Sequence, residues 1–316
     1  MALSAARSAD LALAFERIDA NNARAFAPLA VAFGQGRLGH ALDGLIGIGA
    51  RVDSAPVALF LAQPASHAPT IASLLTLNVA PAWRRRGIAT KLLAAGEAAV
   101  GAAGCTTVTS MIAYGSPEGP AAQALAARAG WEQVQHLRTY FKVAYDAIGV
   151  APWVTRRQRW PAGFDVVSFS AITGEERRQL TARQNDPDWF DAYLDPFEGE
   201  ADHTANSIAL RVNGEIAGWA VSRHLHRDQR HSAPGTMSWT RVYVRRPLQK
   251  RGYGAMLLAE HIKRGPAAGI AHAIFSVQPT NAAMTRLVDR HLRPVASGCR
   301  DVWEVRKRVA AGAAQT

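Results

Sequence analysis

The sequence predicts an α/β protein of two similar halves in tandem, each a mixed β-sheet flanked by helices. Three observations carry that prediction. A basic, glycine-containing turn occurs twice, as Arg84-Arg85-Arg86-Gly87-Ile88-Ala89 and Gln249-Lys250-Arg251-Gly252-Tyr253-Gly254, and Gly87 and Gly252 stand 165 residues apart. The order of extended and helical patterns around the first turn returns around the second. The length, 316 residues, suits two domains of about 150.

In the first half, residues 11–18 read as a strand and 21–33 as a helix with an apolar face. Residues 45–52, the pair Asp53-Ser54 and residues 57–62 read as a hairpin. Ser73 to Val79 is the strand that delivers the chain to the first turn, and Ile88 to Ala102 the helix after it. Cys105 to Met111 is the next strand, residues 121–129 an Ala-rich helix ended by Gly130, and 131–134 and 138–143 two closing strands. Residues 148–159, with Pro152 and Arg156-Arg157 but no period, read as a linker, giving domains 1–147 and 160–316.

The second half repeats the order. Phe164 to Ser168 is a strand, and residues 173–184 form a helix whose Thr173 and Glu176 have capping-box spacing. Residues 208–212 and 215–221 flank Asn213-Gly214, the signature of a type I′ hairpin. Met237 to Val244 leads to the second turn, 253–264 is the helix after it, 271–277 a strand, 281–291 a helix and 302–306 a final strand.

Strand, basic turn, helix is an arrangement that binds phosphate. The first N–H groups of a helix lack intrahelical partners and carry the positive end of its dipole. Gly87 and Gly252 let the backbone approach an anion or take φ > 0. Arg85, Arg86, Lys250 and Arg251 add charge, and Ala89 and Gly254 keep the second helical turn open.

Both turns resemble the cofactor motif of the GNAT superfamily of N-acetyltransferases, Gln/Arg-x-x-Gly-x-Gly/Ala after a strand ending in Val, and the resemblance covers most of the chain as two tandem GNAT-like domains. It implies an acyl-CoA, typically acetyl-CoA, as cofactor, entering where two neighbouring parallel strands splay apart: Ser73–Val79 from Cys105–Met111, and Met237–Val244 from Ala271–Val277. It places Leu77, Val79, Arg84, Arg85, Arg86, Gly87, Ile88, Ala89 and Thr90 of the first half around the cofactor. The matching set in the second is Val242, Val244, Gln249, Lys250, Arg251, Gly252, Tyr253, Gly254, Ala255 and Asn281. The activity implied is direct attack of an amine, on a small molecule or a peptide, at the thioester, with no metal, and a homodimer is left open.

The chain departs from the family where acid–base residues are expected. Leu74-Leu75-Thr76-Leu77-Asn78 and Trp239-Thr240-Arg241-Val242-Tyr243 lack the Glu base, and Ala126 in the first half and either Leu287 or Val288 in the second stand where a Tyr acid is expected. No catalytic residue is assigned, and a non-catalytic acyl-CoA-binding protein stays beside the enzyme reading. The family's acceptor lies near the first helix and its following loop. In the second half that loop contains Asp186, Asp188, Asp191, Asp195, Glu198, Glu200 and Asp202 with four aromatics and no Lys or Arg, whereas in 21–44 of the first half Asp43 is the sole acid. Asp188, Trp189, Asp191 and Tyr193 are therefore the acceptor-binding candidates, as an acidic, aromatic mouth for a cationic amine.

Composition limits the alternatives. The net charge of +11 permits polyanion binding, but the basic residues are spread along the chain without an aromatic-interleaved block, which places nucleic-acid binding behind acyl transfer. Apolar runs such as residues 57–62 are far too short to cross a bilayer. Cys105 and Cys299 lie in different halves with no metal spacing, and His224, His226 and His231 sit among arginines that repel a cation. With no secretory pattern at the N-terminus, a reduced, cytoplasmic protein is expected.

Overall fold

The computed structural model describes residues 12–30, 44–190, 192–198, 203–224 and 234–310. Its residues fall into two compact units, one running to His136 and taking up the chain again from Val302, the other running from Leu137 to Asp301.

In the first unit, β1 (Leu13–Arg17), β2 (Ile46–Val52), β3 (Ala55–Ala65) and β4 (Ala68–Val79) form an antiparallel meander. Asp53 and Ser54 turn the β2–β3 hairpin with φ of 47° and 67°. After β4 comes α2 (Ile88–Ala102), then β5 (Thr107–Ala113), which runs parallel to β4, and α3 (Gly119–Arg128). Between β1 and β2 stands a short α1 (Ala23–Phe26), continued by a 3₁₀ turn to Leu29; the rest of the helix expected there, residues 31–33, lies outside the described residues. Leu92, Leu93 and Val100 of α2 pack with Phe60 and Ala58 of β3. Gly96 permits that approach, since a Cβ there would stand 2.4 Å from the Phe60 ring.

The strand closing this sheet comes from the far end of the sequence. Residues Val302–Arg308, part of β12 (Ala296–Arg308), pair antiparallel with β5. Lys307 and Trp131 both bond Glu97 of α2, at 2.5 and 2.8 Å.

In the second unit, β7 (Phe164–Ser168), β8 (Ile208–Val212), β9 (Glu215–His224) and β10 (Thr236–Val244) repeat the meander. Asn213 and Gly214, both at positive φ, make the expected hairpin turn. The α6 helix (Gly174–Ala182) starts from the Thr173–Glu176 capping box. Following β10 are α7 (Tyr253–Arg264), β11 (His272–Val277), parallel to β10, and α8 (Ala282–His291). The strand beside β11 is Thr139–Ala144, the second half of β6 (Glu132–Ala144).

Three expectations need correction. The two closing strands expected at 131–134 and 138–143 are one continuous β6, extended without a break from Glu132 to Ala144. The compact units do not follow the expected division at 147 and 160, because strand pairing draws 139–144 to β11 and 302–308 to β5. The expected linker is folded. It forms α4 (Tyr145–Gly149) and α5 (Pro152–Thr155), whose Ile148 and Val154 are fully buried beside Leu258 and Ile262 of α7.

Candidate functional site

The two glycine turns are built alike. Gly87 and Gly252 occupy the N-cap positions of α2 and α7 with φ of 77° and 86°. Two residues earlier, Arg85 and Lys250 are also left-handed, at 65° and 63°. Alternation of this kind makes successive N–H groups converge. The first motif residue fastens the turn to its strand: Arg84 Nε donates to the Val79 carbonyl at 3.0 Å, and Gln249 Nε2 to that of Val244 at 2.7 Å. Arg84 and Gln249 thus hold the turn through their side chains.

The backbone N–H groups of Arg85–Thr90 and of Lys250–Ala255 find no hydrogen-bond acceptor among the described residues. A Cβ built on Gly87 or Gly252 would have nothing within 4 Å. Six donors in a row beneath open space, at the positive end of a helix, fit a pyrophosphate. Ile88, 3% exposed, and Tyr253, tilted against Phe164 at 4.9 Å, root the two helices, so these residues offer their amides rather than their side chains.

The strands open beside each turn. β4 pairs with β5 only from Ile71 to Ser73, and β10 with β11 only from Thr236 to Ser238, although β4 continues to Val79 and β10 to Val244. The edges carrying Leu77 and Val79, and Val242 and Val244, are therefore free of a parallel neighbour. Each strand also carries a bulge, Leu75 in β4 and Thr240 in β10, where one extra residue interrupts pairing with the antiparallel neighbour. Just beyond the strands, Ala80 N–H bonds the Val57 carbonyl and Arg245 N–H that of Ala217, each at 2.8 Å. Neither the bulges nor these bonds were foreseen from the sequence, where Leu75 and Thr240 sit in ordinary strand patterns. Asn281 caps α8, its Oδ1 accepting from Met284 N–H at 3.1 Å.

The acidic loop of the second unit is less open than expected. Trp189 is 2% exposed and packs with Phe190, Trp219 and Tyr243, so it belongs to the core rather than to a mouth. Arg183 and Arg245 stack on its ring at 4.6 and 5.1 Å. The Asp188 carbonyl accepts from Arg246 N–H at 3.3 Å, and Tyr193, largely exposed, gives its carbonyl to Arg241 Nε at 2.9 Å. Asp195 caps Phe197 N–H, and Glu198 pairs with Arg241. Asp43, Asp191, Glu200, Asp202, His226 and His231 lie outside the described residues. Sequence reasoning passed over Arg241 and Arg223, whose guanidinium groups lie beneath this loop; a cation inside the apolar strand 237–244 was the available cue.

Cys105 is buried, which raises its thiol pKa, and Cys299 is exposed. Among the described residues no group of three or more His, Cys, Asp or Glu could hold a metal, and no helix is long and apolar enough to cross a membrane.

Comparison with known proteins agrees with this geometry. The model of the acetyltransferase (GNAT) family matches residues 21–131 and again 171–292. No curated protein matches the chain in sequence. Among solved structures, a tandem GNAT protein from the clavulanic acid biosynthesis pathway is similar with a TM-score of 0.63 at 16% identity, over 96% of this chain and all of that one. A GCN5-related glucosamine N-acetyltransferase region of a fungal multi-domain GH3 β-N-acetylglucosaminidase gives 0.59 at 14% identity, over 95% of this chain and 38% of that one. A GCN5-related N-acetyltransferase from Sphaerobacter thermophilus gives 0.52 at 18%, over 96% and 97%.

Proposed function

The chain belongs to the GNAT family of acetyltransferases, and from that premise we propose that it is an acyl-CoA-dependent N-acyltransferase of the cytoplasm. Its reaction moves an acetyl group from acetyl-CoA to an amine. The observation that carries this reading is the duplicated turn, with six acceptor-free N–H groups beside a splayed strand in each unit. The amides of Arg85–Thr90 and Lys250–Ala255 would hold the pyrophosphate, and the free edges near Val79 and Val244 the amide-bearing arm. The bound thioester supplies an activated acyl group; the amine nitrogen bonds to its carbonyl carbon, the C–S bond breaks, and the amine proton is released.

We place the acceptor in the second unit, against the loop that presents Asp188 and Tyr193. An acidic side chain there would attract a protonated amine, and no general base is assigned. One observation favours a second reading, a binder without turnover: β4 from Ile71 to Val79 contains no ionisable side chain.

Calorimetry with acetyl-CoA on the full chain, followed by thiol-release assays over a panel of amines, tests both readings. Binding with thiol release supports the enzyme, and binding without release over the panel supports the binder. Absence of heat with acetyl-CoA ends both. Valine at Gly87 or Gly252 would report which unit binds, since each substitution should remove its own site.

A further inference from the structure

The loop of the second unit covers a pair of arginines that the phosphate turn does not use. Arg241 lies in β10 beyond Ser238, where the parallel strand has left, and just past the Thr240 bulge. Its side chain is only 9% exposed, whereas its carboxylate partner Glu198 is 63% exposed. Arg223 of β9 sits across the ladder, its register partner being Ser238. Arg223 Nη2 donates to the Glu198 carbonyl. Both arginines lie on the face turned away from α7, because their strand neighbours Ser222 and Val242 pack toward that helix.

Among the described residues several donors on this face lack a partner. Arg223 Nε is buried without a hydrogen-bond partner among those residues, as are the indole N–H groups of Trp189 and Trp219 on the same face. A guanidinium has five donors and no acceptor, and an indole has one donor and none. Burial lowers the Arg241 pKa, Glu198 raises it, the neighbouring Arg223 lowers it again and Asp195 raises it more weakly; two guanidinium groups side by side call for an anion. A buried guanidinium is costly without a counter-charge, and a planar carboxylate matches its fork.

We infer that Arg241 and Arg223 form a carboxylate subsite of the acceptor pocket, occupied in the free protein by Glu198, so that the acceptor is an amine that also bears a carboxylate, an amino acid or a peptide terminus. This rests on the reading of the second unit as an acyltransferase and narrows its substrate class. Glu198 is a displaceable occupant because most of its side chain remains in water.

The test is a tryptophan-fluorescence titration of the full chain with N-acetyl-L-amino acids of small, apolar, acidic and basic side chains, each beside its neutral C-terminal amide. At least one acid should bind about tenfold tighter than its amide, from the charge-assisted contact alone. Glu198→Gln should tighten the acids about fivefold or more and leave the amides unchanged. Arg241→Gln should erase the difference between acid and amide, and Arg223→Gln, which leaves the β10 strand untouched, should reduce it. A Glu198→Gln protein that binds no acid better than its amide overturns the inference. So does one whose only change is a lower melting temperature, which is what a mere loop anchor would give. Calorimetry with acetyl-CoA on the same proteins keeps the two levels apart: failure there sinks the acyltransferase reading, and failure of the acid–amide comparison sinks only the substrate class.

Discussion

Acid should loosen the second unit through one residue, His261. This side chain is 1% exposed in the last turn of α7, the helix that begins at the second glycine turn. Its Nδ1–H donates to the Asn206 carbonyl at 2.9 Å, so Nε2 is left as the acceptor, facing Asn206 Nδ2 at 3.2 Å and Ser222 Oγ at 3.3 Å. Asn206 is committed elsewhere too, donating to Tyr145 Oη and accepting from Thr204 and Ser222. Protonation would aim a new N–H at an amide N–H. Burial pulls the His261 pKa from 6.5 down to about 4, opposed by the Asn206 bond and helped more weakly by the charge of Arg264.

The folded pKa lies below the unfolded one, so the unfolded chain binds the extra proton between those values. Stability is complete above about pH 6.5, falls as pH drops toward 4, and is flat with respect to this group below that. A shift of roughly two and a half units is worth about 3 kcal/mol, a large share of the roughly 5–15 kcal/mol that holds a domain. Urea melts of wild type and His261→Gln, followed by tryptophan emission at pH 7.5 and 4.5, read the difference directly. Wild type should lose about 2–3 kcal/mol more than the variant over that interval, because the carboxylates that also titrate there are common to both. Parallel losses in the two proteins would refute the assignment of a neutral, buried imidazole.

Three further outcomes are expected. Gly252→Ala should cost about 1–2 kcal/mol, the price of a left-handed L-residue, with no steric addition because no atom crowds its Cβ, and Gly252→Asn should cost less; equal costs in thermal melts would show that φ is not what the glycine supplies. Gly96→Ala should destabilise the first unit by about 1–3 kcal/mol through the Phe60 ring, and Phe60→Leu should relieve most of that in a double-mutant cycle; additive costs would exonerate the contact. Glu176, bonded to Arg211 at 2.7 Å, has its pKa lowered to about 2, mainly by that bond, so its contribution is present above the ordinary value of 4.5 and fades as pH falls toward 2. Glu176→Gln should therefore cost about 1 kcal/mol at neutral pH and progressively less between pH 4.5 and 2, and a pH-independent cost in urea melts would contradict the pairing.

Local chemistry made much of this molecule readable in its sequence. Asn213-Gly214, the Thr173 capping box and the two glycine turns are each dictated by residues next to one another, and each is where the sequence places it. The bulges at Leu75 and Thr240 were hidden because neither position departs from an ordinary strand pattern; the interruption shows only in the pairing with β3 and β9. Trp189 was misread as a rim residue because an acidic neighbourhood masks a ring that a buried aromatic cluster holds. The acids of that loop suggested a cation's site, and only the fold brings Arg223 and Arg241 beneath them.

The origin of the first unit's closing strand bears on how the protein is made. Val302–Arg308 is translated only after the whole of 114–301, yet β5 depends on it for its antiparallel neighbour. During synthesis the meander and α2 must wait with one flank of β5 bare while the whole of 137–301 emerges. A gene fragment cut near residue 147 would express a sheet lacking its final member, and such a fragment should gather into aggregates unless a peptide carrying 302–308 is supplied beside it.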